Sequence, residues 1–306
     1  MVNVGIAGAE TKLAGEIIRI LINHPETELI SLWAPTFKGR DVSSVHHGLI
    51  GENTLNFTDN LKLEELDSLI ILPGSLLPAN IKNQLDNFPE LKTIVVSNDE
   101  KIKFNFTDSE IGISELNRKS LVRDAKNAYI PSGAIIPSLV ALAPPANFLL
   151  LNSDIKISVS MPKDLADSFN KDSEISIIEQ QLKQRQSSFS GKIDIEIHPL
   201  ETNSRELSSE ITFKSSLPTE ELEKIYEGIY DDHNFTFITK KTLTPEEASG
   251  TQKILININK PEPDIFEIRT IADARMRGGA GDVVHILNLF FRLHEKTGLN
   301  LKSAIF

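Results

Sequence analysis

The sequence predicts an α/β fold, a Rossmann-like parallel-sheet domain joined to an α+β second domain. Three observations predict it. A β-α-β pattern opens the chain between Val2 and Trp33. Buried-strand runs then alternate with helical stretches to about residue 145. After Pro144-Pro145 the apolar residues change to period-2 alternation, which marks a sheet with one exposed face.

Taken in order, Val2–Ile6 is a short apolar run that reads as a buried strand. Lys12–His24 follows with Leu13, Ile17, Ile20 and Leu21 at helical spacing. Leu29–Trp33 is again strand-like, as are Leu69–Leu72, Thr93–Ser97 and Ala128–Pro131. Pro78–Asn87 and Glu115–Lys126 read as helices between them. This gives a dinucleotide-binding-type domain over 1–145, completed by a C-terminal helix within 281–306. The second domain, 146–280, alternates over Asp154–Met161, Lys192–His198, Ser209–Lys214 and Lys253–Asn259. Its helices are Lys163–Arg185 and Pro218–Tyr230, the latter with Glu220 and Glu221 where a helix dipole favours acids. Asp282–His294 closes the chain on a helical pattern built from Val283, Val284, Ile286, Leu287, Phe290 and Phe291.

Composition narrows the function. The 306 residues are 40% hydrophobic, enough for a sizeable core, and carry a net charge of −11. A surface of that sign repels nucleic acid and anionic lipid, so neither is an expected partner. The densest basic stretch, Lys183-Gln184-Arg185, is too short to change this. Ile135–Leu151 is broken by three prolines and Asn147 and falls short of the ~20 apolar residues of a membrane helix. The N-terminus has no secretory pattern. A soluble, cytoplasmic protein is expected. There is no cysteine, which removes disulfides, thiolate metal sites and thiol catalysis together.

A dinucleotide site needs glycines where the first strand turns into the first helix, so that backbone N–H groups can approach a pyrophosphate. Gly5 and Gly8 are present, but Thr11 stands where the next glycine is expected, and Glu10 brings a carboxylate to the place of the phosphates. No acid ends the second strand to hold a ribose; the residues are Leu32-Trp33-Ala34-Pro35. The glycines can equally serve packing alone. His46-His47 are adjacent and lack a third metal ligand. His198 and His285 have no patterned partner, and Lys240-Lys241 read as a solvated strand end.

The stretch Gly5 to Leu21 followed by Asn23-His24-Pro25-Glu26, then Lys38 to His46, then Gly112-Ile113-Ser114-Glu115-Leu116-Asn117-Arg118, and finally Gly278 to Leu289 with Thr297-Gly298-Leu299 occur in a colinear series. In order and spacing they resemble the N-acyl-γ-glutamyl-phosphate reductases of the semialdehyde dehydrogenase superfamily. The resemblance implies reduction of an acyl phosphate by a nicotinamide cofactor. A cysteine thiolate would be the nucleophile and a histidine the acid and base. In Ile130 to Pro144, which matches the family's cysteine-bearing stretch, the nucleophile's position is Gly133. The histidine's counterpart is Glu174, on a match carried by Ile178-Glu179-Gln180. Arg277-Gly278 matches a Lys-Gly pair near the nicotinamide, and Arg275 and Arg277 are the remaining candidates for holding an anion. Ser132 is a conceivable replacement nucleophile, or simply a turn residue. Ser138 reads as a cap for the helix after Pro137.

The expectation is a catalytically inactive homologue serving as a binding, regulatory or assembly subunit, with no cofactor. Its partners would be itself, an active reductase homologue or a small metabolite. Self-association is expected through an apolar sheet face of the second domain that Pro218–Tyr230 covers only in part. The alternative is a divergent NAD(P)-dependent oxidoreductase, using NADP on an acyl phosphate or semialdehyde of the arginine or lysine pathway.

Overall fold

A computed structural model describes the chain except for residues 53, 76, 78–80, 97–108, 243 and 304–306. It forms two compact units, Met1–Pro131 with Gly278–Asn300, and Ser132–Arg277 with the residues from Leu301.

The first unit holds a seven-stranded parallel sheet. Its strands are β1 (Val2–Ala7), β2 (Thr27–Trp33), β3 (Phe57–Thr58), β4 (Ser68–Ile71), β5 (Lys92–Val96), β6 (Glu110–Ile111) and β7 (Asn127–Ile130). They lie in the order β3-β2-β1-β4-β5-β7-β6. The chain therefore starts at the centre, builds outward one way, and reverses between β1 and β4, where doubly wound folds place their ligand crevice. Val4, Ile6, Leu69, Ile70 and Ile94 are wholly buried, as expected of strands covered on both faces. Helix α1 (Lys12–Leu21) buries Ala14, Ile17, Ile18 and Leu21 along one stripe. Helices α2 (Ile81–Leu85) and α3 (Ser114–Arg123) follow; α3 leaves helical geometry at Asn117. The short strands β3 and β6 carry too few residues for a pattern to show in the sequence.

The second unit begins with α4 (Ile136–Asn147), then β8 (Ile155–Pro162), α5 (Lys163–Ala166), α6 (Lys171–Arg185), β9 (Ile193–Leu200), β10 (Glu206–Lys214), α7 (Thr219–Tyr230), β11 (Thr236–Ile238), β12 (Ile254–Glu262) and β13 (Ile265–Asp273). The six strands form a mixed sheet in the order β11-β12-β13-β10-β8-β9. The expected single helix Lys163–Arg185 is two helices. Its second half restarts where the Asn170 side chain accepts the N–H of Ser173 at 3.2 Å, an N-cap that interrupts the run.

Leu207, Ile211 and Phe213 of β10 stand opposite Ala272, Ile268 and Phe266 of β13, all buried. Helix α4 packs over these two strands, with α6 and α7 against it. The apolar face thus lies under helices, so the bare apolar face expected from the alternation is not there. The other face carries Ser208, Glu210 and Thr212 of β10 and Arg269 of β13. The chain then returns to the first unit as α8 (Ala280–Phe290), which packs on α1 and α3. It ends at Phe290, short of the His294 that the apolar pattern suggested.

Pro144 and Pro145 lie inside α4 rather than ending the domain before it. Two prolines remove two helical N–H donors, and an interior proline ordinarily costs about 3 kcal/mol. The carbonyls left without donors are those of Val140 and Ala141. Tyr230 and Tyr226 of α7 donate their hydroxyls to these two groups, Tyr230 to Val140 and Tyr226 to Ala141. Burial raises the Tyr226 hydroxyl pKa far above its ordinary value, so it stays a donor.

Candidate functional site

The loop from β1 to α1 keeps the outline of a phosphate loop. Gly8 sits at φ +83°, and a Cβ there would come within 3.1 Å of Ser75 Cβ. Gly5 serves packing, since an added Cβ would meet Leu66 Cδ1 at 2.6 Å. Thr11 is the N-cap of α1: its Oγ1 accepts the N–H of Ala14 at 3.2 Å and donates to Gly8 O at 2.9 Å.

Other features turn this loop inward. The N–H groups of Gly8 and Ala9 both donate to Trp33 O, at 3.1 and 3.2 Å. His46 Nε2 lies 2.7 Å from Ala9 O, and its ring fills the notch left by Gly15, where a Cβ would fall 2.7 Å from His46 Nδ1. His46 is therefore a brace for the loop, a role that spacing in the sequence could not reveal. Glu10 Oε2 is buried and has no hydrogen-bond partner among the described residues.

In the second unit Gly133 stands in the turn just before α4 and offers no side chain. Ser132 beside it is engaged locally: its Oγ accepts the N–H of Ala134 at 3.2 Å and its carbonyl takes the N–H of Ile135. It is a turn serine. Ser138 does not cap the helix, which has already begun at Ile136; its Oγ is wholly buried and has no hydrogen-bond partner among the described residues. Glu174 is in the first turn of α6 and only 2% exposed. Ser132, Gly133 and Glu174 supply neither a thiol nor an imidazole.

The two arginines fare differently. Arg275 is bound bidentately to Asp164, at 2.9 and 2.8 Å, and donates to Thr202 O at 2.9 Å. That pairing commits it to the structure. Arg277 is wholly buried, with Nη1 3.5 Å from Gln252 O, so it presents no surface to an arriving anion. Gly278 takes φ +67°, and its N–H donates to Asp282 Oδ2 at 2.6 Å, which folds the chain back onto the start of α8.

The histidines set aside in the sequence have structural places. His198 lies within β9 and is exposed. His285 is buried on α8, its Nε2 2.9 Å from Glu295 Oε2, while Arg118 holds the other oxygen of that carboxylate. Lys240 pairs with Glu223 at 2.8 Å. Among the described residues no group of three or more His, Asp or Glu side chains could hold a metal ion, and no helix is long and apolar enough to cross a membrane.

No family model matches the chain. It is 32% identical to the N-acetyl-gamma-glutamyl-phosphate reductases of Phocaeicola vulgatus and Parabacteroides distasonis, with 100% of both chains covered in each case. It is 30% identical to that of Azobacteroides pseudotrichonymphae, again over 100% of both. Among solved structures it is similar to aspartate semialdehyde dehydrogenase II from Vibrio cholerae complexed with ASA, with a TM-score of 0.69 at 12% identity over 95% of this chain and 98% of that one. The aspartate semialdehyde dehydrogenase with NADP from Candida albicans gives 0.67 at 12% identity, over 95% and 99%. At such identities the structural likeness shows the fold alone.

Proposed function

The chain belongs to the N-acetyl-gamma-glutamyl-phosphate reductase family, and we propose that it is a non-catalytic member acting as a binding, regulatory or assembly subunit. The observation that carries this reading is Gly133. It occupies the position of the family's nucleophile in a chain with no cysteine, beside a serine already spent on its own turn. Glu174 stands for the histidine, and Thr11 and Glu10 alter the phosphate loop. One such change is compatible with drift; three together argue that selection for the reaction has ended. Its partners would be a second copy, an active reductase homologue or a small metabolite, with no cofactor required.

The test is direct. Purified protein given N-acetyl-gamma-glutamyl phosphate with NADPH or NADH, or the semialdehyde with the oxidised cofactor, is expected to show no turnover above a blank. Turnover that scales with protein concentration and survives repurification overturns the reading.

A second reading is favoured by the retained form of the β1–α1 turn, with Gly8 at positive φ and Thr11 capping α1. It is a divergent oxidoreductase that uses NADP on an acyl phosphate or semialdehyde. Saturable NADPH binding separates the two, because the non-catalytic reading needs none.

A further inference from the structure

Three stretches that carry the family resemblance meet in one buried cluster of the first unit, just past the end of α1. They are His24-Pro25-Glu26, Asn288 of α8, and Thr297-Gly298-Leu299. The donors and acceptors fix the state of the His24 ring, which is only 4% exposed. Its Nδ1 lies 3.3 Å from Glu26 N, and a backbone N–H can only donate, so Nδ1 is the bare nitrogen and Nε2 carries the hydrogen. Nε2 then donates to Asn288 Oδ1 at 3.0 Å. The amide nitrogen of Asn288 donates in turn to Glu295 O at 3.2 Å and to Thr297 O at 2.9 Å. The backbone of Gly298, at φ +72°, lies against the same ring: a Cβ there would stand 2.8 Å from His24 Cδ2.

A proton on Nδ1 would set one N–H against another. The ring would lose its bond to Glu26, and it cannot turn without displacing Gly298. Burial works in the same direction and is the largest influence; Asn288, the Glu26 charge and the Thr297 backbone favour the charged ring and are outweighed. The other charges near the cluster are committed elsewhere. Glu295 is held by His285 of α8 and Arg118 of α3, and Arg19 of α1 is paired with Glu16. His294 Nδ1 accepts the N–H of Lys296, and both side chains are exposed. Burial would raise the Glu295 pKa, but His285 and Arg118 bring it down to about 2, so this carboxylate stays charged in weak acid.

We propose that His24 is the pin of an acid-released latch, which on protonation frees residues 297–299 while Glu295 stays clasped as the hinge. The opening is local, and it does not depend on the chemistry at Gly133. The closed ring takes a proton less readily than the open one. Closure is therefore complete above about pH 6.5, the ordinary histidine value, and is lost as pH falls through the lowered value of the closed ring. Opening uncovers Leu299, which is 1% exposed when the latch is shut.

Native-state hydrogen exchange at about pH 7.5 and about pH 5.7 tests this. The N–H groups of Thr297 and Leu299, bound to His294 O and Lys296 O at 2.8 and 2.9 Å, are expected to lose protection at least about threefold at the lower pH. Those of Ile6 and Ile70, on paired central strands, are expected to keep theirs. In His24→Gln, which cannot take up the proton, the difference between the two pH values should vanish. Unchanged protection at Thr297 and Leu299 overturns the proposal, as does an equal loss in the central strands or a loss that persists in His24→Gln. Should that variant fail to fold, the ring nitrogen resonances of His24 in the unaltered protein decide instead. A hydrogen on Nε2 at the higher pH, with a titration midpoint below about 6.5, supports the proposal. A hydrogen on Nδ1, or a midpoint at or above that value, refutes it.

Discussion

Tyr226 donates its hydroxyl to the carbonyl of Ala141, the group that the N–H of residue 145 would take were that residue not proline. Tyr230 does the same for Val140 and Pro144. Two side chains from another helix thus complete a hydrogen-bond ladder that the sequence has cut. Tyr226→Phe is expected to leave a buried carbonyl unpaired and to cost about 1–3 kcal/mol in urea unfolding. In a Pro145→Ala background, where the backbone donor returns, the same substitution should cost clearly less. Equal losses in both backgrounds would show that the hydroxyl does not stand in for the missing N–H.

Gly133→Cys alone is expected to leave the protein without measurable acyl-phosphate reduction. On the proposed reading the restored thiol would still lack an imidazole, since Glu174 would stand in its place, and the β1–α1 loop would still hold Glu10. Steady-state assay with NADPH checks this, and activity in the single variant would show that Gly133 is the sole lesion.

Calorimetry of the unaltered protein with NADPH and NADH is expected to show weak binding or none. A carboxylate near the start of α1 is itself favourable by about 0.3–1 kcal/mol and competes for the positive helix end that a phosphate would use. Glu10→Gly should strengthen whatever binding exists. Micromolar affinity before any substitution would remove Glu10 as the obstacle.

Acid should weaken the first unit in two separate windows. Burial lowers the His24 pKa and outweighs the Asn288 hydrogen bond and Glu26 charge that would raise it. The geometry suits the neutral ring, with Nε2 3.0 Å from Asn288 Oδ1 and Nδ1 accepting the N–H of Glu26 at 3.3 Å. Because the folded value lies below the unfolded one, this contribution is complete above about pH 6.5 and fades as pH falls through the folded value. For Glu295, burial alone would raise the pKa, but the hydrogen bond and charge of His285, with Arg118, bring it down to about 2. Its contribution is present above about pH 4.5 and is lost towards pH 2. Urea midpoints measured from pH 8 to 3 should fall in both windows. His24→Gln should flatten the upper fall and Glu295→Gln the lower one.

Light scattering across a dilution series is expected to find self-association. One uncovered face of the second unit carries Ser208, Glu210, Thr212 and Arg269, and a contact made through it should weaken with salt. A monomer mass at high micromolar concentration, with no partner recovered from cells, would rule the association out.

The parallel sheet was readable because its central strands are unbroken apolar runs, such as Leu69–Leu72, that burial on both faces demands. The alternation of Asp154–Met161 and Ser209–Lys214 was equally plain. What escaped detection depends on contacts remote in sequence. Nothing near Pro144-Pro145 signals that tyrosines some 85 and 90 residues away will satisfy the helix. Likewise the place of His46 is set by a notch at Gly15, in another element. Local pattern registers which face of a strand is buried; it carries no record of which distant hydroxyl or ring arrives there. At Gly133 the sequence by itself shows that the position offers no side chain.

That notch also constrains how the protein can change over time. An added methyl at position 15 would strike an imidazole that already braces the loop, whereas a shorter residue at 46 would leave the notch empty and Ala9 O without its donor. Neither substitution is easily accepted before the other. The two positions should therefore be inherited as a pair, so that lineages which exchange the histidine will also have exchanged the glycine.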